Sequence, residues 1–188
     1  MRVIAGTFRS RQLKSLPGLD IRPTSDRLRE TLFDVLTAGN PDALAGTQWL
    51  DLFAGTGAVG IEALSRGASQ VCFVESSREA AELIRQNLRS LGVATGYQVL
   101  NDAATRALRA LERSDMRPDF VFLDPPYRME KTYAETLQAL SASPLIGASC
   151  VVIVEHQKRF DPADEAGALH RTRKITQADA ALTFYRKL

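Results

Sequence analysis

Three glycines and one glutamate have the types and the spacing of a nucleotide-binding site. Gly55, Gly57 and Gly60 follow a short apolar run at residues 49–53 and precede a segment with helical periodicity. In a strand–turn–helix context, this G-x-G-x-x-G spacing lets the backbone approach a ligand closely because glycine has no Cβ. Glu75 ends the next apolar run, about 20 residues after Gly55, where a carboxylate can accept hydrogen bonds from ribose hydroxyls. Together the two signals predict a nucleoside-containing ligand; a turn that only packs a helix on a sheet would not need Glu75.

A second group of residues could bind a planar amine. An Asp-Pro-Pro-Tyr segment follows another apolar run and comprises Asp124, Pro125, Pro126 and Tyr127. Proline fixes φ and has no N–H, so the segment is stiff and its carbonyl oxygens are available as acceptors. A carboxylate and a carbonyl can accept both hydrogens of an exocyclic amine while the tyrosine ring stacks on the base, which contributes roughly 1–3 kcal/mol in nucleic-acid complexes. The segment therefore favours chemistry on an amino nitrogen.

The elements around these residues predict an α/β fold. Apolar runs alternate with helical patterns, and the predicted strands are residues 49–53, 70–74, 97–100, 120–123 and 150–154. This alternation predicts a mostly parallel sheet with helices on both faces and ligands beyond the carboxyl ends of the strands. Residues 169–175 and 181–188 break the rhythm and predict an antiparallel C-terminal strand pair, which gives seven strands in all. Glu155 is interpreted as the polar end of the fifth strand.

The amino terminus carries an excess of positive charge. Residues 1–30 contain seven basic and three acidic residues, a net charge of +4, whereas the whole chain of 188 residues carries +2. Residues 1–20 are predicted to form a small basic β-hairpin extension, and residues 21–188 the main domain. Clustered cations favour contacts with nucleic-acid phosphates. The candidate contacts are Arg2, Arg9, Arg11, Lys14, Arg22 and Arg27; an edge hairpin whose arginines only deter aggregation is the alternative.

The composition indicates an ordinary globular protein, with 45% hydrophobic and 24% charged residues. Cys72 and Cys150 lie inside predicted strands, which favours free buried thiols in a reducing compartment. No secretory leader and no membrane-spanning apolar stretch is present, so we expect a cytoplasmic location and no membrane partner. The two histidines and two cysteines are not spaced as metal ligands, so no metal is expected. The sequence predicts one compact domain, which favours a monomer.

The two motifs together resemble the class I S-adenosylmethionine-dependent methyltransferases, which have a Rossmann-like fold, and Asp-Pro-Pro-Tyr matches their motif for methylation of amino nitrogens. The start RVIAGTFRSRQL, with Arg22-Pro23-Thr24, Asp26-Arg27 and Arg29-Glu30, is more specific. Over nearly its whole length the chain resembles the RsmD family of bacterial 16S rRNA guanine-N2-methyltransferases. The resemblance implies S-adenosylmethionine as the methyl donor and 16S rRNA or the 30S subunit as the partner. The implied target is guanine 966 in helix 31.

The resemblance also implies roles for individual residues. Cofactor-binding residues would be Asp51, Phe53, Ala54, Gly55, Gly57, Glu75, Asp102, Ala103 and Asp124. Glu75 would bind the ribose, and Asp102 with the Ala103 backbone would lie near the adenine. Asp124 and the Pro125 carbonyl would hold the guanine amine, and residues 124–127 would be the catalytic group. Many family members have asparagine at position 124, so whether this aspartate accepts a proton or only a hydrogen bond stays open.

Three other functions share part of these signals. An NAD-dependent oxidoreductase would use the glycine turn but has no role for Asp-Pro-Pro-Tyr. An adenine-N6 DNA methyltransferase would use both motifs, although the chain lacks a sizeable target-recognition domain. A non-catalytic ribosome-assembly factor would need only the RNA contacts. Binding of NADH against S-adenosylhomocysteine separates the first alternative, and methyl transfer to rRNA against duplex DNA separates the second.

Overall fold

The computed structural model of this chain describes residues 1–15, 25–126 and 129–188. Within these ranges the helices are α1 (Asp26–Thr37), α2 (Ala58–Ser65), α3 (Arg78–Ser90), α4 (Ala104–Leu111) and α5 (Glu130–Ala142). The strands are β1 (Gln48–Leu52), β2 (Gln70–Val74), β3 (Tyr97–Leu100), β4 (Phe120–Leu123), β5 (Val151–Gln157), β6 (Glu165–Ala166), β7 (Leu169–Gln177) and β8 (Ala180–Lys187).

These strands form one sheet in the order β3-β2-β1-β4-β5-β8-β7-β6. Strands β1 to β5 are parallel to one another. Beyond β5, strand β8 pairs antiparallel with β5, β7 with β8, and β6 with β7. The α/β class and the antiparallel C-terminal pair are therefore confirmed. The described sheet has one strand more than the seven predicted, because β6 contains two residues and is too short to leave a periodic pattern. The strand order reverses between β1 and β4, which is where such sheets bind their ligands.

Each face of the sheet has its own hydrophobic core, because side chains alternate along a strand. The face covered by α1, α2 and α3 includes Trp49, whose ring stacks between Phe33 and Phe120 at centroid distances of 5.4 and 4.8 Å. The face covered by α4 and α5 includes Leu50 and Leu123. Packing on both faces holds the carboxyl ends of the central strands rigidly in place.

Two local features fix where helices begin. The Ser25 hydroxyl accepts a hydrogen bond from the Leu28 N–H at 3.1 Å, and the Ser77 hydroxyl accepts one from the Ala80 N–H at 3.3 Å. Both serines satisfy backbone donors that a helix cannot satisfy itself. In the described part of the chain, none of the helices has the length and apolar character needed to cross a membrane.

Both cysteines are buried and free, as the sequence predicts. Burial raises the pKa of Cys72 to about 12, and it does the same for Cys150. Both thiols therefore stay protonated and serve as small apolar side chains of the sheet.

Residues 1–15 form an arm that folds back on itself and docks on α2. One antiparallel bridge joins Arg2 and Gln12. The buried Glu62 carboxylate of α2 accepts hydrogen bonds from two successive backbone N–H groups of the arm, at 2.7 and 2.9 Å. A Cβ at Gly6 would lie 1.8 Å from the Ser65 carbonyl oxygen, so the backbone of the arm lies directly against the backbone at the end of α2. The predicted boundary after residue 20 lies outside the described residues.

Candidate active site

A cleft of about 1530 Å³ opens at the carboxyl ends of β1, β2, β3 and β4. Residues from the glycine turn, from the strand ends and from the proline segment line it together: Phe53, Gly55, Glu75, Asp102, Ala103, Asp124, Pro125 and Pro126. The structure therefore brings most of the candidate cofactor-binding and catalytic residues to one cavity. Asp51, Ala54 and Gly57 are not among the residues that line it. Tyr127 and Arg22 lie outside the described residues.

The glycine turn is supported from beneath by Asp51. This side chain is 2% exposed, and its Oδ2 accepts a hydrogen bond from the Gly60 N–H at 2.9 Å. Burial raises the pKa of Asp51 to about 7; the bond from Gly60 opposes this rise and the charge of Glu75 adds to it. Gly57 has a φ of +78°, which a residue with a Cβ rarely adopts. Asp51 and Gly57 thus shape the turn.

Glu75 joins the glycine turn to the start of α3. Its Oε2 accepts a hydrogen bond from the Gly55 N–H at 2.9 Å, and its Oε1 accepts one from the Ser77 N–H at 2.7 Å. Oε1 also accepts a longer hydrogen bond from the Ser76 hydroxyl at 3.4 Å, so Oε2 is the oxygen that keeps a lone pair for a further donor. Glu75 lines the cleft with its orientation already fixed, as a binder of ribose hydroxyls requires.

Asn101, to which the sequence analysis gave no role, connects the loops after β2 and β3. Its Nδ2 donates to the carbonyl oxygens of Glu75 and Ser76, both at 2.9 Å. The neighbouring Asp102 carboxylate accepts from the Ala103 N–H at 2.7 Å and pairs with Arg106. Asn101 directly follows a predicted strand and precedes an acid. That sequence signal could have identified it as a support of the two loops that follow β2 and β3.

Three carboxyl groups lie near one another at the centre of the sheet: Asp51 in β1, Asp124 after β4 and Glu155 in β5. Burial, then the charges of Glu155 and Asp51, raise the pKa of Asp124 well above its usual range. The interpretation of Glu155 as a polar strand end is wrong, because β5 continues to Gln157 and the Glu155 side chain is 2% exposed. A glutamate inside an apolar strand was the signal for a buried acidic residue near Asp124.

The proline segment is braced by α5. The Tyr133 hydroxyl donates to the Pro125 carbonyl oxygen at 3.1 Å. The Pro125 carbonyl, which the sequence predicts to be available as an acceptor, already accepts this hydrogen bond and has a second lone pair for another donor. The Tyr133 ring packs against Phe160, which also lines the cleft, at 4.9 Å between centroids. Neither aromatic residue was identified from the sequence, because both read as ordinary core positions.

The described candidate RNA contacts lie outside the cleft. All five are exposed: Arg2, Arg9, Arg11, Lys14 and Arg27. Of these, Arg11 donates to the Ser90 carbonyl oxygen at 2.8 Å, and Arg2 lies 3.7 Å from the Asp26 carboxylate. Arg9 and Lys14 present their charges on the arm. The cations therefore form an outer surface and do not reach into the cavity.

The cleft itself has the opposite charge. Its described lining contains five carboxylates and two cations: Glu75, Asp102, Asp124, Glu130, Glu135, Lys131 and Arg159. An acidic cavity attracts a cationic ligand and repels phosphate. Among the described residues, no group of three or more His, Cys, Asp or Glu side chains is arranged to hold a metal ion.

One buried amide connects the arm to the glycine turn. The Asn87 Nδ2 donates to the carbonyl oxygens of Lys14 and Thr56, at 3.2 and 3.1 Å, and its Oδ1 accepts from the Lys14 N–H at 2.9 Å. Thr56 stands between the first two glycines of the turn. The arm and the wall of the cleft are therefore parts of one hydrogen-bonded unit.

The chain is similar to known proteins over its full length. The family model described as "Conserved hypothetical protein 95" matches residues 1–186. The Bacillus subtilis protein named "Putative rRNA methyltransferase YlbH" is 34% identical over 187 residues, which cover 100% of this chain and 99% of that protein. The Escherichia coli protein named "Ribosomal RNA small subunit methyltransferase D" is 35% identical over 157 residues, covering 84% of this chain and 75% of the relative.

A solved structure agrees with these relatives. The structure titled "Putative methyltransferase yhhF from Escherichia coli" superposes with a TM-score of 0.82 at 29% identity, and the match covers 100% of this chain and 97% of that one. The similarity therefore includes the arm, the glycine turn and the C-terminal antiparallel strands.

Proposed function

The chain belongs to the RsmD family, and from this premise we propose that it transfers a methyl group from S-adenosylmethionine to the N2 amine of a guanine in 16S rRNA. The names of the relatives support rRNA methylation. The choice of guanine N2, and of guanine 966, rests on the family resemblance. The observation that carries the proposal is one cleft that combines the glycine turn, Glu75 and the Asp124–Pro126 segment.

The candidate cofactor-binding residues that line the cleft fit S-adenosylmethionine. Gly55 lets the backbone come close, Glu75 offers oriented acceptors to ribose hydroxyls, and Asp102 with the Ala103 backbone stands where an adenine would lie. The bound cofactor would supply a methyl group already activated by its sulfonium. Because that ligand carries a net positive charge, the carboxylates around the cleft favour its binding.

The proline segment would position the guanine. The Asp124 carboxyl and the second lone pair of the Pro125 carbonyl are the two acceptors that an exocyclic amine needs, and the Tyr133 hydroxyl fixes the direction of that carbonyl. An amine nitrogen that accepts a methyl group becomes positive, so the Asp124 and Pro125 acceptors would stabilise the transition state more than the ground state. By holding the amine against the bound cofactor they would also supply the acceleration that comes from orientation.

The charge distribution would decide how RNA binds. Phosphates are attracted to the exposed cations of the arm and repelled by the acidic cleft, so the backbone would stay outside while an unstacked base enters. Sequence-specific recognition of RNA commonly uses such splayed bases. The arm would then provide affinity that depends on salt, and the cleft would provide chemistry.

The proposal is tested with purified protein and methyl-labelled S-adenosylmethionine. The substrates are 30S particles, protein-free 16S rRNA and duplex DNA, each digested to nucleosides after reaction. We expect label in N2-methylguanosine from one or both RNA substrates. Label in N6-methyladenine from DNA, or binding of NADH in preference to S-adenosylhomocysteine, would refute the proposal.

A further inference from the structure

The loop after β5 places two residues in the cleft that the mechanism above does not use. Arg159 and Phe160 line the same cavity as Asp124 and Pro125. Arg159 is exposed and Phe160 is half-buried, so both lie at the rim of the cleft. An aromatic ring next to an arginine suits a nucleotide, because the ring can pack against the base while the guanidinium binds a phosphate.

The strand order puts this loop on the far side of Asp124 from the candidate cofactor residues. The parallel part of the sheet runs β3-β2-β1-β4-β5. Gly55, Glu75 and Asp102 follow β1, β2 and β3, and Asp124 follows β4. The end of β5 comes next along the same edge, about 5 Å beyond β4. A base whose amine meets Asp124 must approach from the side that the cofactor does not occupy, and the loop with Phe160 lies on that side.

The Phe160 ring is supported from behind by two buried rings. Its centroid lies 4.9 Å from that of Tyr133 and 6.0 Å from that of His156. The Tyr133 hydroxyl donates to the Pro125 carbonyl oxygen, so one buried ring contacts both Phe160 and a proposed acceptor of the amine. The accessible part of Phe160 therefore lies in the cleft, close to the segment that would hold the base.

Ion pairs and a hydrogen bond attach the loop to β7 and β8. The Asp161 carboxylate lies 2.8 Å from the Arg171 guanidinium and 2.9 Å from the Lys174 ammonium. The Tyr185 hydroxyl donates to the Ala163 carbonyl oxygen at 2.8 Å. The loop is thus fixed on the sheet before any ligand binds, which reduces the conformational entropy lost on binding.

Arg159 keeps a positive charge at the rim. Its Nε donates to the Gln157 side-chain oxygen at 2.6 Å, which is an uncharged acceptor. The nearby Asp161 is already paired with two cations of β7. Lys131, the other cation of the described lining, lies 3.6 Å from the Glu135 carboxylate, whereas in the described part of the chain no carboxylate forms an ion pair with Arg159. Arg159 is therefore available to an anion at the mouth of the cleft.

We propose that Arg159 and Phe160 form a nucleotide subsite at the rim of the cleft, in which the Phe160 ring packs against the target base and the Arg159 guanidinium binds a phosphate next to that base. The inference rests on the proposed function, because the occupant is the RNA nucleotide whose amine reaches Asp124. The subsite accounts for a phosphate at the mouth of an acidic cavity, since the base lies inside and the charge stays outside.

The subsite can be tested without methyl transfer. Ligand-observed NMR measures the binding of guanosine and of guanosine 3′,5′-bisphosphate to protein saturated with S-adenosylhomocysteine. The wild type should bind the bisphosphate several-fold more tightly, because only this ligand offers phosphates to Arg159. Arg159→Gln should remove that preference and leave guanosine binding within about twofold of the wild type. Retention of the preference in Arg159→Gln, or absence of bisphosphate binding by the wild type, would overturn the proposal.

Phe160→Leu tests the ring. This variant keeps an apolar side chain against Tyr133 and loses the aromatic face, so it should bind both ligands about fivefold more weakly, or weaker still. Phe160→Tyr keeps the ring and should bind them as the wild type does. Wild-type affinity in Phe160→Leu would contradict the role of the ring. Equal losses in Phe160→Leu and Phe160→Tyr would do the same, because they would indicate damage to the loop.

The matched control for Arg159 is Lys158→Gln, which removes an exposed positive charge one residue away and outside the cleft lining. It should change the preference for the bisphosphate by less than about twofold, and a loss equal to that of Arg159→Gln would refute a direct contact. Steady-state methyl transfer is the second readout, in which Arg159→Gln and Phe160→Leu should each raise the KM for 16S rRNA several-fold. Absence of methyl transfer to RNA in the wild type would refute the proposed function, whereas the nucleotide titrations decide the subsite alone.

Discussion

The arm and the cleft of this protein have opposite charges and opposite exposure. Residues 1–15 contain four cations and no acidic residue, and all four cations are exposed. The described cleft lining has five acidic residues against two cations, and the proposed chemistry would take place at Asp124, which is half-buried. Under the proposed function this difference would be a division of labour, in which the arm attracts the phosphates of the RNA and the cleft accepts only an uncharged base. Changes in the two regions should therefore affect different steps.

The largest effect is expected in the cleft. Asp124→Ala removes an acceptor at the reacting nitrogen and should lower the rate of methyl transfer by about 10²–10³-fold. RNA affinity, measured by filter binding, should change less than twofold because the arm is intact. Asp124→Asn keeps an acceptor oxygen and should lose far less activity. Equal loss of rate and RNA affinity in Asp124→Ala would contradict the division between the regions.

The next effect tests how the arm is attached. Gly6→Ala should destabilise the protein by about 2–3 kcal/mol, because the new methyl group would meet the Ser65 carbonyl at 1.8 Å on a backbone with a φ of +78°. Urea unfolding gives the free energy of unfolding, and limited proteolysis reports release of the arm. The matched control is Gly92→Ala, which has a φ of +77° and no atom within 4 Å of the added Cβ. Similar losses in both variants would show that strain, and not docking, is responsible.

The buried Asp51 carboxyl beneath the glycine turn gives a pH prediction. Asp51 has a folded pKa of about 7, above its ordinary value, so the folded state holds this proton more tightly than the unfolded chain. The stability that it contributes is complete below about pH 4 and declines as the pH rises to about 7. From pH 5 to 8 the wild type should lose on the order of 2 kcal/mol more than Asp51→Asn.

Urea unfolding across that pH range measures the difference between Asp51→Asn and the wild type. The exposed Asp115→Asn serves as the control and should follow the wild type. Parallel profiles for Asp51→Asn and the wild type would show that Asp51 is ionised in the folded protein throughout, which removes it from the buried acidic cluster.

The smallest effect is expected on the outer surface. Arg9→Gln with Lys14→Gln should weaken RNA binding by roughly tenfold and lower the slope of log affinity against log salt by about 2, one for each phosphate contact. The rate at saturating RNA should stay within twofold. The charge-matched control is Arg109→Gln with Arg113→Gln, two exposed cations in and just after α4. If the control pair weakens binding equally, net charge and not the arm attracts the RNA.

The sequence predicted the parts of this molecule that local pattern encodes. The alternation of apolar runs predicted the strands of the parallel sheet and the antiparallel C-terminal pair. The glycine spacing together with Glu75 and Asp124 predicted which strand ends meet at a cavity. The roles of these residues in binding and catalysis stay predictions. Strand β6 was missed because two residues carry no periodicity.

The supporting contacts could not be predicted, because they join residues far apart in the chain. Asn87 connects Lys14 to Thr56, and Tyr133 orients the Pro125 carbonyl from a helix that looked like plain core. Glu155 was misread because β5 continues to Gln157 and pairs there with β8, which the apolar run at residues 150–154 does not reveal. The local sequence pattern thus predicts where the candidate site residues lie. Their pKa values depend on burial and on charges from distant parts of the chain, which the pattern does not contain.

The most direct measurement of the central claim is mass spectrometry of 16S rRNA nucleosides from cells that lack this protein. The account predicts that one N2-methylguanosine is absent, that the wild-type gene restores it, and that the Asp124→Ala gene does not although its protein still binds the RNA. Full methylation of the rRNA in the deletion cells, or restoration by the Asp124→Ala gene, would contradict it.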